Sequence, residues 1–535
     1  MSFLNVTKAT LSTLSPVHLG SGEDFLPTNY VIDDNGWLHS FNEMVIAQVL
    51  GNKLEQIKGI IYREQGEQML LSIQRLIHDN RDKLATLAAT SIPVATGFQT
   101  LYKSRIGQVA QRENNKSNVI NQLPIMRTFI NPHTHLPIIT GSAVKGAIRT
   151  AILNGLAVKA GLKRPQDITM PKKLQNNLLK FDNPTTDPLK LLKISDAEYR
   201  NADELPATEI MFAVSKRRIA KAGKNAGGPP TNLEAVSGFR SQSFVFDIRF
   251  LDNSSQDPHQ KTPKDSRTLA KLCNDYYLPK LKKELRELSD RNYLADNYVN
   301  GLTRLLEGEL GTALEQNEAF LLRLGKHSGA YNKTLDNIRQ IYIPQHKKSV
   351  SETPEVRLAA TASSQQAIDL LPFGWVVIEL DGINLQHTHA LLKELATAHN
   401  AYRHRDKLLA FKQAQAHAQI EIAAKKLAQE QALAKQIAAD IAKAEEEKIR
   451  LALLSAESVE VDKLKQQFDA LVAKKWKIDI NHTLIKELNT LIEKATNWPT
   501  NAKQELRQLA ESMYKTANID VKKNTNVKKR LTTLG

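Results

Sequence analysis

The run Gly141-Ser142-Ala143-Val144-Lys145-Gly146-Ala147-Ile148-Arg149 carries residue types that hold phosphates. Lys145 and Arg149 stand four residues apart, so on a helix they project from one face. Ser142 suits an N-cap, and Gly141 lets another backbone pass close by. A helix start offers unpaired amides and positive potential, so two cations beside it make an anion seat. The alternative is an ordinary capped helix with solvated cations. The spacing Gly-x4-Gly-Lys-Ser/Thr of a nucleotide-triphosphate loop is absent.

Three further stretches have related chemistry. In Pro16–Glu23, His18 is followed by Gly20 and Gly22 flanking Ser21, a loop able to approach a ligand and donate amides. A glycine turn with a packed histidine is the other reading. Phe320–Gly329 delivers Arg323, Lys326 and His327 into a second glycine-flexed loop. Lys216-Arg217-Arg218, with Lys221 and Lys224, runs into Gly227-Gly228-Pro229-Pro230 and reads as a mobile basic loop or a solvated charge run. Signals for bond-breaking chemistry are sparse. The pairs His133/His135 and His387/His389 have no third ligand at suitable spacing. No Gly-x-Ser-x-Gly elbow or Rossmann fingerprint occurs, and no cofactor is expected. Asp24, Asp33 and Asp34 lie close to the first glycine loop, but Asp33-Asp34 precede a turn, where Asp is at home.

The elements that must position these residues follow from periodicity. Phe3–Leu14 alternates as a strand, and Tyr30–Ile32 and Trp37–Phe41 flank an Asn-Gly turn as a hairpin. Residues 43–90 read as helical, and 92–126 as an exposed basic excursion. Leu136–Ile139 reads as a strand leading into a helix from Thr140 onward. Strand text returns at Lys190–Ile194, Thr208–Val214, Phe244–Phe250 and Trp375–Leu380, with a loop at 215–233 and a helical block at about 266–324. This irregular alternation predicts an α+β fold.

Beyond residue 384 the texture changes: glycine is absent until Gly535, and Pro499 is the only proline. An apolar seven-residue repeat through Ile420, Leu427, Ala434 and Ile441 predicts one long helix, partly coiled-coil-like, of about 60 Å or more at ~1.5 Å per residue. It is expected to fold back on shorter helices at about 461–475 and 483–495. Lys522, Lys523, Lys528, Lys529 and Arg530 form an expected flexible cationic end. The expected domains are therefore a core over 1–384 and a basic helical extension over 385–535.

Composition bounds the function classes. The 535 residues are 41% hydrophobic and 24% charged, as in ordinary globular proteins. A net charge of +16 favours a polyanionic partner, and nucleic acid over a membrane because no apolar anchor accompanies the charge. The single cysteine, Cys273, cannot form an intramolecular disulfide and fits a reducing cytoplasm.

Together the segments resemble a known family. Leu14-Ser15-Pro16-Val17-His18-Leu19-Gly20-Ser21-Gly22-Glu23, followed by Asn29–Asp33, resembles the opening of RAMP proteins of type III CRISPR systems. The resemblance is specifically to the fifth-subunit family of the type III-A (Csm) effector. Leu136–Arg149 is similar to the family's glycine-helix segment, with Thr140 where proline is usual. Ile194-Ser195-Asp196, Leu322–Gly329 with Lys333-Thr334, and Leu371–Val376 resemble its later segments. The similarity spans about residues 3–384.

The resemblance implies a ferredoxin-like, RRM-related core with helical insertions. It implies a non-catalytic subunit that binds CRISPR RNA and caps the protein filament at the 3′ side of the guide. Implied partners are CRISPR RNA, target RNA, the repeated backbone RAMP subunit and other Csm subunits, with host ribonucleases acting in guide maturation. The family's backbone subunit carries a cutting aspartate downstream of its own histidine–glycine loop, and Asp33 lies in a comparable neighbourhood, but in a hairpin of different text. Guide contacts are expected first from Lys145, Arg149, His18 and the backbone of Gly20–Gly22, beside Gly141 and Ser142. Lys216, Arg217, Arg218, Arg323 and Lys326 come second, and the 92–126 excursion is expected to press on a neighbouring subunit or duplex. The alternative within the superfamily is a metal-independent endoribonuclease trimming precursor CRISPR RNA, with His18 as general base.

Overall fold

A computed structural model describes residues 4–106, 123–163, 171–200, 204–218, 226–343, 348–399 and 401–535. The chain mixes helix and sheet and divides into two compact units, Met1–Ile420 and Glu421–Gly535.

The first unit is built on two sheets. In one, the strand Leu4–Thr13 lies between Arg240–Leu251 and Trp375–Leu380, antiparallel to both. Ala319–Arg323 extends the sheet beyond Trp375–Leu380. Leu192–Ile194 and Ala197–Tyr199 pair with the far side of Arg240–Leu251, and Ile138–Ile139 follows at the edge. Leu11 faces Phe244 on one side and Ile378 on the other, and all three are fully enclosed. The second sheet runs Leu371–Pro372, Glu355–Ala360, Thr208–Arg217, Thr231–Val236, Ile125–Thr128, Gly20–Phe25. The hairpin Tyr30–Ile32/Trp37–Ser40 is completed by Thr90–Pro93. Four helices follow it between Glu43 and Thr86, as the sequence predicts.

Helices Gly141–Lys159 and Ser266–Ser289 pack against each other and the first sheet. Val144, Ile148, Ala151 and Ile152 recur at three- and four-residue steps on the buried face of one. Leu269, Ala270, Cys273, Tyr277 and Leu281 do so on the other. The Tyr277 hydroxyl donates to the carbonyl of Ala147 (3.0 Å), tying the pair.

Several expectations change. The loop expected at 215–233 is shortened at both ends: residues 215–217 continue the strand from Thr208 and pair with 355–357, and the strand Thr231–Val236 begins at its far end, while 219–225 lie outside the described residues. The helical block ends in a strand, Ala319–Arg323, because five consecutive buried residues suit the interior of a sheet edge covered by helices. Of the excursion at 92–126, residues 107–122 lie outside the described residues. Its flanks are exposed on one side only: Thr96, Thr100, Lys103 and Ser104 face solvent, while Phe98, Tyr102, Ile106 and Ile125 belong to the main core.

The composition break at 384 falls short of the structural division at 420. Helix Gln386–Ala398 buries Leu392, Leu395 and Ala396 in the first unit's core. Phe411 packs edge-on against Trp37 at 5.1 Å between centroids. The long helix, Arg405–Ala452, spans 48 residues. Its apolar repeat does not fold back onto a partner among the described residues, for Ile420, Leu427, Ile437 and Ile441 are each more than half exposed. The second unit's core belongs to Ala456–Ala473, Thr483–Lys494, Thr500–Thr516 and Thr525–Thr532. The end expected to be flexible is the last of these helices, with Val527, Leu531 and Leu534 buried.

One buried ion pair locks helix Ser266–Ser289 to the sheet. The Arg323 guanidinium pairs with Glu284, donates to the carbonyl of Phe373 (2.9 Å) and lies 4.9 Å from the Trp375 ring. The Trp375 indole donates to the second Glu284 oxygen (3.0 Å). Glu284→Gln keeps an acceptor for Trp375 but strands a buried cation, so it should lower stability by about 3–5 kcal/mol in urea unfolding. Adding Arg323→Met should restore much of that loss; an unchanged midpoint in the single variant would show the pair contributes nothing.

Candidate nucleic-acid interface

Residues 14–19 leave the first sheet as a strap bonded at nearly every peptide to a different segment. Leu14 donates to the Trp375 carbonyl (2.9 Å), and Gly374 donates to that of Pro16 (2.8 Å). Val17 and Val236 exchange both backbone bonds. The His18 carbonyl accepts from Lys326 (2.9 Å), and the Leu19 carbonyl from Phe129 (2.6 Å). Three segments singled out in the sequence, 15–23, 322–329 and 371–376, therefore meet.

Glycine is obligatory at two of the crossings. A Cβ on Gly325 would lie 2.3 Å from the His18 carbonyl oxygen, and one on Gly374 would lie 2.2 Å from that of Leu324. Both have positive φ, +79° and +91°. Past this junction the chain emerges: Gly20 and Gly22 are exposed, and Ser21 donates to the Arg127 carbonyl (3.2 Å). Lys326 is exposed beside them.

His18 itself is fully buried. Its Nδ1–H donates to the carbonyl of Glu234 (2.6 Å), which leaves Nε2 as an acceptor enclosed behind Gly20 without a partner among the described residues. Burial, with Lys326 nearby, depresses its pKa and holds the ring neutral. The same causes, with His18 itself, push His327 down to about 4. The Glu234 carboxyl accepts from Thr208 (2.9 Å) and the Thr128 amide (3.2 Å), yet complete burial pushes it up to about 7.

The helix start is arranged differently from expectation. Thr140, not Ser142, is the N-cap, accepting from the Ala143 amide, and Ser142 is exposed in the first turn. The Gly141 amide donates to the Asp196 carboxylate (2.7 Å), so an internal anion occupies this terminus. The Gly141 Cβ position is filled by the Ile194 and Ser195 carbonyls, 2.4 and 2.8 Å away. Lys145 and Arg149 do share a face, but that face meets the 187–192 turn: Lys145 donates to the Leu192 carbonyl and Arg149 pairs with Asp187, both at 2.7 Å.

The remaining candidates lie elsewhere. Arg323 is inside the core, 2% exposed. Lys216 lies 5.9 Å from the Tyr293 ring, Arg217 is 4.0 Å from Glu355, and Arg218 pairs with Glu287. Asp33 is a turn residue, accepting from Asn35 (3.0 Å) and Trp37 (2.8 Å). His389 bonds Glu379 (2.8 Å) and His387 lies 3.7 Å from Glu309; among the described residues no three metal-binding side chains cluster. The sequence reading missed Arg127 and Glu234. Glu234 gave a signal in hindsight, a lone carboxylate inside the strand text Leu233–Val236.

Two measurements check this geometry. Gly325→Ala should lower the thermal midpoint sharply, whereas Gly22→Ala, with φ +86° but open space, should lose only about 1 kcal/mol. Equal losses would show that the His18 contact is not limiting. For Glu234, the unfolded carboxyl releases its proton near its ordinary value of 4.5 while the folded one holds it to about 7. Stability should therefore fall as pH rises from 4.5 to 7 and then level off. Glu234→Gln should abolish that decline, so its midpoint should gain on the parent's between pH 5 and pH 8.

Comparison with known proteins places these features. The RAMP superfamily profile matches residues 10–307, more than half of the chain. The CRISPR system Cms protein Csm5 of Streptococcus thermophilus is 26% identical over 151 residues, 28% of this chain and 38% of that protein. The Csm5 protein of Mycobacterium tuberculosis (strain CDC 1551 / Oshkosh) is 23% identical over 158 residues, 30% and 41% of the two chains. The match spans about two fifths of the length of these curated relatives. Among solved structures, a chain of a type III-A Csm–crRNA–target RNA ternary complex is 16% identical with a TM-score of 0.38, covering 70% of this chain and 100% of that one. The crystal structure of T. onnurineus Csm5 is 16% identical with a TM-score of 0.39, covering 69% and 99%. No helix among the described residues is long and apolar enough to cross a membrane. The chain belongs to the RAMP superfamily.

Proposed function

We propose that this chain is a non-catalytic RNA-binding subunit of a type III-A (Csm) effector complex. It holds CRISPR RNA at the 3′ side of the guide, where it caps the filament of repeated backbone subunits and lies close to target RNA and other Csm subunits. The observation that carries the reading is the junction of the 15–23, 322–329 and 371–376 segments, which presents Gly20–Gly22 and Lys326 together at the surface. Such a surface takes phosphates through amides and a cation and leaves bases free to pair, so discrimination is delegated to the guide. The net charge of +16 supports a polyanionic partner.

The order Trp375–Leu380, Leu4–Thr13, Arg240–Leu251, Leu192–Ile194, all antiparallel, with helices after the first and third strands in sequence, supports a ferredoxin-like core. Residues 421–535, the second compact unit, supply the basic helical extension of this subunit. The endoribonuclease alternative is weakened by the enclosure of His18, whose Nε2 cannot reach a 2′-hydroxyl without the start of the strand Gly20–Phe25 moving aside.

Affinity for single-stranded RNA should fall linearly as log K against log [salt], while changes of sequence matter little. Lys326→Ala should lower the slope by about one unit, and Lys145→Ala, whose ammonium is bonded internally, should leave it unchanged. A flat salt response would sink the proposal. A discrete, EDTA-resistant cut in repeat RNA would favour the nuclease instead.

A further inference from the structure

Beside the irregular start of the edge strand Gly20–Phe25 lies a cavity of about 410 Å³ whose walls include Ser21, Arg127, Phe129, Ile130, Pro132 and His135. Phe129 is 39% exposed, more than any other phenylalanine among the described residues. Its backbone is fixed on both sides: the amide donates to Leu19 (2.6 Å) and the carbonyl accepts from Ile138 (3.1 Å). The following turn is equally constrained. The Asn131 side chain accepts from the amides of His133 (2.8 Å) and Thr134 (3.2 Å), and its backbone bonds Leu136 and His135. An apolar ring is thus held outward by a rigid frame, against the hydrophobic preference for burial.

We infer that this cavity is a stacking pocket for one unpaired nucleobase of bound RNA, with Phe129 as its platform. The inference rests on the RNA-binding reading above and deepens it. The walls divide as a nucleobase requires. Phe129, Ile130 and Pro132 offer apolar faces, and partial burial beside Arg127 keeps the His135 imidazole neutral and able to stack. The polar groups gather elsewhere on the wall: the Ser21 hydroxyl, the Glu23 carboxylate and the Arg127 guanidinium, the last two paired at 3.3 Å. Together they provide donors and acceptors for a base edge. The exposed glycine backbone alongside would carry the adjoining phosphate, so a splayed base and its backbone have neighbouring seats. An apolar peptide would leave the ion pair buried without use, so the mixed wall favours a base.

The test uses the full chain and single-stranded RNA carrying 2-aminopurine, moved through the sequence one position at a time. One position should be strongly quenched on binding. Phe129→Ala should lose that quench and weaken binding by roughly 5- to 150-fold with the salt slope unchanged. Phe129→Trp should keep both. If the parent chain binds RNA with a steep salt slope but no position is quenched, or Phe129→Ala binds as tightly, the pocket is overturned while RNA binding stands. Full affinity in Phe129→Leu would also overturn it, pointing to apolar contact with a protein partner. Absence of RNA binding by the parent chain would overturn both.

Discussion

The approach of Gly325 to the carbonyl of His18 is the contact on which the solvent-facing end of the first unit depends. That carbonyl accepts from Lys326, and the approach is open only because residue 325 has no Cβ. The His18 imidazole meanwhile donates to Glu234, and Gly20 covers its free nitrogen. One residue therefore binds a strap, a loop and a strand of the second sheet. The histidine's ring chemistry is spent on structure, and the exposed surface is made by what it anchors.

Charge follows a related logic. The chain is strongly basic, yet many cations in its most suggestive motifs are already neutralised. Arg149 has Asp187, Arg218 has Glu287, and Arg323 has Glu284. At the glycine helix the carboxylate of Asp196 takes the place an external anion would occupy. These pairs position elements against one another, and half-buried ones are screened less by salt than exposed ones. The backbone at Gly20 and Gly22 and the Lys326 side chain are by contrast left outward.

Much of this organisation was legible in the sequence. Period-two text located five of the seven strands of the first sheet but only Thr208–Arg217 of the second, and the change of period after Ile139 located the glycine helix. The motif segments were identifiable one by one, although their meeting was not, because it depends on backbone bonds between residues hundreds of positions apart. The partners of cations were hidden for the same reason: nothing near Lys145 in sequence foretells the Leu192 carbonyl. The first strand of the hairpin ending at Val236 reads as strand, but the start of the second, Thr231–Val236, reads as loop because basic residues, glycines and prolines precede it. In the helical part, the heptad pattern gave the long helix correctly but not what its apolar side meets, since periodicity fixes a face and not its neighbour.

The topology of the first sheet also sets an order of events during synthesis. Its central strand, Leu4–Thr13, has one neighbour at Arg240–Leu251 and the other at Trp375–Leu380. The buried bond between Ser12 and Glu379 spans 367 positions. At about 5–20 residues per second, a ribosome takes roughly 20–70 s to traverse that interval. Throughout it the early strand has at least one edge unsatisfied, a template for pairing with any other extended chain nearby. The native sheet can therefore close only after residues 375–380 have been made, late relative to the synthesis of its central strand.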